Sequence, residues 1–370
     1  MEAIERDAGG PQVPAPAAPT RVVVASPYSE AQRARLEALF RPAETVFLSP
    51  RDRTGLRRHL LEAEIVVLKG TPDESFLEHD RLRWVHCNQS GLDRCASQQI
   101  VTAPFHVTSA SGRSAPVLAE HALFFMLSLA YDSHALLTAQ RRRAWGLRNA
   151  AQLRGLVGRK VLVVGLGHTA RALVPRCQAL GMQVRAFRRR ALGDGGLGIP
   201  AYSRAAGDAF ETLLVEADVL VLAASLNDSS HHMLGVRQFE ALKPGAMLVY
   251  VARGRLVDTR AMKAALDEGR LAAAGLDVTH PEPLPPWDSL WRRRNVLLTP
   301  HVTPQVADRE HAEVDIIAHN YGRYLAGAPL ENLLHPEDLY TRGARRPVHP
   351  LLRRALRLRA GLLSPSVQRR

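Results

Sequence analysis

The chain has 370 residues, of which 46% are hydrophobic and 23% charged, so it is long enough for two compact domains and too apolar to be disordered. Its net charge of +13 includes nine arginines, with no acid, in residues 341–370, and the rest of the chain carries only +4. This distribution favours a solvated basic tail over a nucleic-acid-binding surface, so no nucleic-acid partner is expected.

Three further features concern the compartment. The N-terminal residues MEAIERDAGG carry acids and lack the basic-then-apolar pattern of a secretion signal. The apolar run at 122–130 has about half the length that a membrane crossing needs, which predicts a buried helix and no membrane span. Cys87, Cys95 and Cys177 form no CxxC pair and leave an odd thiol, which indicates a reducing compartment and no metal site. We therefore expect a cytoplasmic protein.

The first part of the chain alternates short apolar strands with helical patterns. Residues 1–19, rich in Ala, Pro and Gly, are predicted to be a disordered lead-in. Strands are predicted after Arg21, at 65–68 and at 84–87, with a helix over 29–40 after the first strand. This alternation is typical of a parallel, doubly wound sheet.

A second α/β series follows a long helical pattern that runs from Pro116 to residue 140. Another helix is predicted over 303–326. The chain therefore crosses between two α/β domains near 115–120 and again near 300, and the cleft between them is the expected ligand site. The strands predicted in this series are 160–164, 182–187, 218–222, 246–251, 272–278 and 296–298.

A glycine turn follows the first strand of this second series. The strand KVLVV is followed directly by GLGHTA, which is the GxGxxA variant of the dinucleotide-binding fingerprint. Gly165 allows the tight turn, Gly167 lets backbone amides approach a pyrophosphate, and small Ala170 lets helix and strand pack. The predicted cofactor-binding residues of this turn are Gly165, Gly167, His168, Thr169 and Ala170.

The end of the next strand predicts which dinucleotide is bound. NAD-binding domains place an acid there for the ribose 2′-hydroxyl, whereas this strand runs into Arg188, Arg189 and Arg190. The first acid is Asp194, inside a glycine-rich loop. Because guanidinium groups bind a 2′-phosphate through charge-assisted hydrogen bonds, we predict that NADP(H) is favoured over NAD(H), with Arg188 or Arg189 on the phosphate.

Three polar side chains follow later strands, where ligands of such sheets bind. Arg253 comes after a strand, Glu282 lies in a Pro-rich loop beyond Asp277, and His301 follows another strand. A guanidinium binds a carboxylate with two hydrogen bonds, and a carboxylate beside a histidine raises the histidine pKa. Reduction of a 2-keto acid by a nicotinamide requires a group that binds the substrate carboxylate, a proton donor, and a carboxylate that raises the pKa of that donor.

These segments, in order and spacing, resemble the D-isomer-specific 2-hydroxyacid dehydrogenase family, which includes glyoxylate/hydroxypyruvate reductases and phosphoglycerate dehydrogenases. The resemblance rests on GRKVLVVGLGHTARAL, ARGRLVD, AAAGLDVTHPEPLP and NVLLTPH, with NQSGLDRC and VTSASGRSAPVLAEHALFFML upstream. It implies a Rossmann-like cofactor domain inserted into a flavodoxin-like substrate domain, and a homodimer. The boundaries that follow are a substrate domain at 20–115 and 300–335, a dinucleotide-binding domain at 116–299, and a basic tail at 336–370.

The resemblance also implies residue roles. Arg253 holds the substrate carboxylate and 2-oxygen, His301 protonates the carbonyl oxygen, Glu282 keeps His301 protonated, and Asp277 lies near the nicotinamide carboxamide. Tyr250 departs from the family pattern, in which many members have Asn. The residues whose backbone amides meet the other side of the substrate carboxylate are Ser90, Gly91 and Leu92.

The sequence therefore predicts an NAD(P)-dependent oxidoreductase that reduces a 2-keto acid to a D-2-hydroxy acid, or catalyses the reverse. The alternative is a catalytically weak dinucleotide sensor similar to the C-terminal-binding corepressors, with the basic tail as its partner contact. Those proteins retain the same Arg, Glu and His, so turnover is needed to separate the two classes.

Overall fold

The computed structural model describes residues 18–146, 153, 155–191, 193–303 and 309–343. Its first sheet is formed by strands from the N-terminal part of the chain. Five parallel strands have the order β2-β1-β3-β4-β5, which is the flavodoxin-like order of a doubly wound domain. The elements of this domain are β1 (Arg21–Ala25), α1 (Glu30–Phe40), β2 (Glu44–Phe47), α2 (Arg53–Leu60), β3 (Ile65–Leu68), β4 (Trp84–Cys87), α3 (Gln98–Val101), β5 (His106–Ser109) and, much later, α10 (Arg309–Leu325).

The second sheet has seven parallel strands in the order β12-β11-β10-β9-β6-β7-β8. The order reverses between β6 and β9, which is the switch point where a Rossmann-type sheet opens a crevice. The two sheets confirm the predicted fold class. The elements of this domain are α4 (Ala115–Ala130), α5 (Ser133–Arg141), β6 (Lys160–Val164), α6 (His168–Ala179), β7 (Gln183–Arg188), β8 (Ala201–Ser203), α7 (Phe210–Leu214), β9 (Val219–Leu222), α8 (Val236–Ala241), β10 (Ala246–Tyr250), α9 (Thr259–Asp267), β11 (Leu271–Leu276) and β12 (Val296–Leu298).

The central strands are apolar on both faces because helices cover both sides of each sheet. Strands β3, β4, β9 and β10 are buried at every position. A parallel sheet covered in this way reads as continuous hydrophobic runs, which is the pattern that the sequence shows. The short strands β2, β5 and β8, which lack such runs of Val, Ile and Leu, had not been predicted.

The chain passes between the two domains twice, and a buried ion pair joins the two crossings. Helix α4 packs on α6, β10 and β11 of the second domain, whereas α10 returns to pack on α1 of the first. Arg113, just before α4, pairs with Glu313 on α10, and both side chains are almost fully buried. The Tyr28 hydroxyl donates to the same carboxylate. Removing either partner would leave the other charge buried and unpaired, which costs free energy of folding. The pair therefore favours the arrangement in which the two crossings lie together.

The long helix predicted from Pro116 to residue 140 is two helices, α4 and α5, which meet at a bend of 66°. Asp132 has a left-handed backbone (φ 44°), and its carboxylate accepts a hydrogen bond from the Ala135 amide, so it caps α5. Apolar periodicity continues through this bend, which is why the sequence pattern reads as one helix. Among the described residues no single helix is long and apolar enough to cross a membrane, and only this bent pair meets both criteria together.

Residues 336–343, which the sequence assigns to the basic tail, pack against the body of the protein. Tyr340 is buried, its amide donates to the carbonyl of Ala96, and its hydroxyl bonds Nδ1 of His231. These contacts are long-range and have no periodic pattern, so the sequence gives no sign of them. The tail that we propose therefore begins later. The predicted lead-in up to residue 17, residues 304–308 of the last predicted helix and the tail beyond residue 343 lie outside the described residues.

Candidate active site

A cleft of about 410 Å³ lies between the two sheets, at the carboxyl ends of β4, β6, β7, β9 and β10. Parallel strands leave their ligand sites at this edge, so the predicted residues from both domains meet here. Among the described residues, those predicted for the site that line the cleft are Ser90, Gly91, Leu92, Gly165, Gly167, His168, Thr169, Arg188, Arg189 and Arg253. Ala170, Asp277, Glu282 and His301 do not line it.

The glycine turn is built as dinucleotide binding requires. Gly165 has a φ of +93°, and a Cβ there would lie 2.6 Å from the Cα of Ala224, so only glycine fits. Gly167 is the N-cap of α6, with open space where a Cβ would stand, and as a glycine it has no side chain to cap the helix. Ala170 is fully buried between helix and sheet. The first amides of a helix have no intrahelical acceptor, and beside this open space they fit a pyrophosphate.

His168 faces the first domain. Its Nε2 lies 2.9 Å from Oδ1 of Asn332, and its ring lies against Gly112 at the first crossing. Asn332 also donates from Nδ2 to the carbonyl of Ser111. The side chain of His168 therefore joins the glycine turn to the first domain, and its backbone remains the part available to a phosphate.

The arginines at the end of β7 line the same cleft as the glycine turn. Arg188 donates to the carbonyl of Gly193 at 3.0 Å, and Arg189 donates to Asp338 at 2.9 Å. Asp194 accepts hydrogen bonds from the amides of its own loop, including Gly196 at 3.0 Å, which lowers its pKa. Asp194 does not line the cleft, so no acid of the β7–β8 loop lines it. The carboxylate of the cleft lining that pairs with Arg189 is that of Asp338.

Arg253 reaches the cleft from the end of β10. Its Nε donates to Oδ1 of Asp93 at 3.0 Å, and its Nη1 donates to the carbonyl of Ala252 at 2.9 Å. A Cβ on Gly91 would overlap Nη2, so the guanidinium lies directly on the loop of Ser90 to Leu92. Tyr250 is buried, and its hydroxyl donates to the carbonyl of Arg253. Tyr250 therefore holds the backbone that carries the arginine.

His301 and Glu282 form a pair. Nδ1 of His301 lies 2.5 Å from Oε1 of Glu282, and the hydrogen bond to this carboxylate raises the pKa of His301. Desolvation and the positive charge of Arg253 act in the opposite direction, and the negative charge of Asp277 adds to the rise. The structure therefore brings Arg253, Glu282 and Asp277 within electrostatic reach of His301.

Asp277 holds the loop that carries His301. Its buried carboxylate accepts from the Thr299 hydroxyl at 2.6 Å and from the Val302 amide at 3.1 Å, and its carbonyl accepts from the His301 amide. His301 has a φ of +54°, a conformation that costs energy in a residue with a Cβ. The bonds to Asp277 therefore keep His301 in a strained backbone conformation.

Two residues of the site were missed by sequence reasoning. Asp93 lies in the segment NQSGLDRC, and an acid three residues after Ser90 was the available signal. Asn332 lies beyond the last helix, where no motif marks it. Both act through partners far away in the chain, and such pairs leave no local pattern.

Comparison with known proteins shows what this chain is similar to. The family model described as "D-isomer specific 2-hydroxyacid dehydrogenase, NAD binding domain" matches residues 123–303. A glyoxylate reductase of Thermococcus litoralis is 32% identical over 185 residues, covering 50% of this chain and 54% of that protein. The chain spans about half the length of this and the next three curated relatives that it matches.

Two longer matches cover both domains. A glyoxylate reductase of Pyrococcus furiosus is 28% identical over 291 residues, which are 76% of this chain and 84% of that protein. A D-isomer specific 2-hydroxyacid dehydrogenase from Xanthobacter autotrophicus Py2, solved with NADPH and MES, superposes with a TM-score of 0.72 at 25% identity. That match covers 87% of this chain and all of the Xanthobacter chain.

Proposed function

Because the chain belongs, through its residues 123–303, to the D-isomer-specific 2-hydroxyacid dehydrogenase family, we propose that it reduces a 2-keto acid to a D-2-hydroxy acid with a nicotinamide dinucleotide. The observation that carries the proposal is the cleft itself. It combines a turn suited to a dinucleotide with a guanidinium at the surface of the Ser90–Leu92 loop. The His301–Glu282 pair is not part of the cleft lining, but it lies within electrostatic reach of that guanidinium.

Arg253 binds the substrate in this proposal. A guanidinium donates two parallel hydrogen bonds, and a 2-keto acid offers a carboxylate oxygen and the adjacent carbonyl oxygen as acceptors. The backbone amides of Ser90, Gly91 and Leu92 meet the far side of the carboxylate. These contacts hold the keto carbon in one orientation. The entropic cost of orienting the substrate is therefore met on binding and not in the reaction step.

His301 supplies the proton. When bound, the dinucleotide supplies the hydride to the keto carbon, and negative charge develops on the carbonyl oxygen. The imidazolium of His301 donates its proton from Nε2 to that oxygen, because Nδ1 is held by Glu282. Glu282 therefore selects the ring nitrogen that faces the substrate and stabilises the protonated ring.

The pH dependence follows from this pair. Reduction needs protonated His301, whose pKa is raised. We therefore expect kcat/KM for reduction to be at its maximum at low pH and to fall as the pH rises through that raised pKa. Glu282→Gln removes the main cause of the rise while desolvation and Arg253 remain, so the fall is expected at lower pH. Rates measured from pH 5 to 10 check this, and Glu331→Gln, which alters the exposed His319–Glu331 pair, is the matched control. An unchanged profile in Glu282→Gln would contradict the pairing role.

Turnover is the test of the function. We expect the purified chain to consume NAD(P)H with at least one acid from a panel of glyoxylate, hydroxypyruvate, phenylpyruvate and branched 2-keto acids. Tight dinucleotide binding without turnover of any of them would instead favour the sensor alternative.

The arginines after β7 support a preference for NADPH over NADH, and the Xanthobacter relative was solved with NADPH. With one keto acid, wild type is expected to have the higher kcat/KM with NADPH. Arg188→Asp with Arg189→Ala is expected to shift the ratio toward NADH about tenfold or more, because charge-assisted hydrogen bonds to the 2′-phosphate are lost.

The control for this shift is Arg185→Asp. Arg185 lies on the same strand, but it pairs with Glu216 and does not line the cleft. Equal use of both dinucleotides by wild type, or an unmoved ratio in the double variant, would refute the assignment.

A homodimer is also proposed. Helices α4 and α5 carry exposed apolar side chains on the second domain, which is a face that a second copy would cover, and the molecular mass in solution tests this. The apolar residues of this face are Phe124, Leu127, Tyr131, Leu136 and Leu137.

The domain boundaries at 115–116 and 299–300 are also proposals. So is a cytoplasmic location, which the unpaired cysteines support.

A further inference from the structure

We propose that Asp93 is a positioning residue that orients Arg253 across the interdomain cleft. The proposal rests on the keto acid reduction proposed above, in which Arg253 binds the substrate carboxylate. Asp93 follows β4 of the first domain, and Arg253 follows β10 of the second, so their ion pair joins the two walls of the cleft. Both residues line the cleft, with side chains 17% and 30% exposed.

The donors of Arg253 are divided among different partners. Nε donates to Asp93, Nη1 donates to the Ala252 carbonyl, and within the described part of the chain no acceptor bonds Nη2. Nη2 is also the atom that lies against Gly91. The two bonds therefore fix the plane of the guanidinium and leave its remaining N–H groups directed along the loop whose amides meet the substrate.

Asp93 adds a constraint that the backbone beside Arg253 does not supply. The arginine side chain has several rotatable bonds, and the Ala252 carbonyl belongs to the neighbouring residue, so it moves with Arg253 itself. Among the described residues, Asp93 is the one that accepts a hydrogen bond from this guanidinium across the cleft. It follows that the Arg253 guanidinium is oriented to bind the substrate carboxylate when the two domains are arranged as in this structure.

The test compares Asp93→Ala with Asp93→Asn. The alanine variant has no acceptor for Nε, whereas the asparagine variant retains an amide oxygen but no charge. We expect KM for the keto acid, and the Kd of oxamate in the complex with the dinucleotide, to rise about tenfold to a hundredfold in Asp93→Ala and by less in Asp93→Asn. The Kd of the dinucleotide itself should be nearly unchanged, because its turn lies elsewhere in the cleft.

A double-mutant cycle separates positioning from a merely structural role. If Asp93 acts through Arg253, adding Asp93→Ala to Arg253→Ala should weaken oxamate binding little further. Asp267→Ala is the matched control, since Asp267 pairs with Arg293 away from the cleft, and it should leave KM and oxamate binding unchanged.

The outcomes distinguish this inference from the function on which it rests. If Arg253→Ala loses oxamate binding but Asp93→Ala binds like wild type, or if the two substitutions are additive, the positioning role is overturned and the reductase stands. If wild type neither turns over keto acids nor binds oxamate, both the function and the positioning role are overturned.

Discussion

Replacing His301 by alanine is expected to lower kcat for keto acid reduction by about 10²–10⁴-fold, the usual contribution of a general acid. The carbonyl oxygen would then have to take its proton from water. Dinucleotide affinity should remain nearly intact, because His301 is not part of the glycine turn that binds the pyrophosphate. Steady-state kinetics and a fluorescence titration with NADPH measure the two quantities.

His319→Ala is the matched control for this prediction. His319 also lies beside a glutamate, with Nε2 3.2 Å from Oε1 of Glu331, but His319 is on the exposed face of α10 and Glu331 lies beyond the end of that helix. Its removal should not change kcat. A loss of only a few-fold in His301→Ala, with a deuterium isotope effect showing that hydride transfer limits the rate, would remove His301 from the role of proton donor.

Arg253→Lys is expected to lower kcat/KM about 10²-fold, which corresponds to roughly 3 kcal/mol of transition-state binding. An ammonium keeps the charge but has one nitrogen, so it cannot bond Asp93, the Ala252 carbonyl and a substrate carboxylate in the fixed directions of a guanidinium. The effect should appear in KM as well as kcat, since the same bonds hold the ground state.

Arg255→Lys controls for the general effect of an arginine substitution in this loop. Arg255 lies two residues further along, donates to the carbonyl of Arg342 and does not line the cleft. It should retain the kinetics of the wild type. If Arg253→Lys were to retain near-wild-type kcat/KM, a two-point clamp by this side chain would be ruled out.

Much of the fold was readable from the sequence because its determinants are local. Buried strands such as Ile65–Leu68 and Val219–Leu222 are continuous apolar runs, and a parallel sheet covered on both faces requires them. Gly165 and Gly167 were recognisable because a tight turn and a close phosphate approach admit few other residues. Arg253 and His301 were predicted as site residues because each comes shortly after a strand, and Glu282 because it lies in the Pro-rich loop beyond Asp277, in segments that resemble the family.

The bend between α4 and α5 was not readable. It depends on the left-handed backbone of Asp132 and on the packing of the two helices against different neighbours, while the apolar periodicity continues. Similarly, Tyr340 and its neighbours pack on the body through single contacts with Ala96 and His231, none of which repeats with a period. Periodicity reports which face of an element is buried, and it says nothing about segments held by isolated contacts.

By itself the sequence determined the residue types of the site and the strand ends that carry them, because chemistry and local geometry restrict both. Only the tertiary structure decided how they are oriented. Asp93 and Arg253 are 160 residues apart, and Arg113 and Glu313 are 200 apart. Charged groups at such separations meet only after both domains have formed, and their energies depend on distance and burial, which no local pattern of residues encodes.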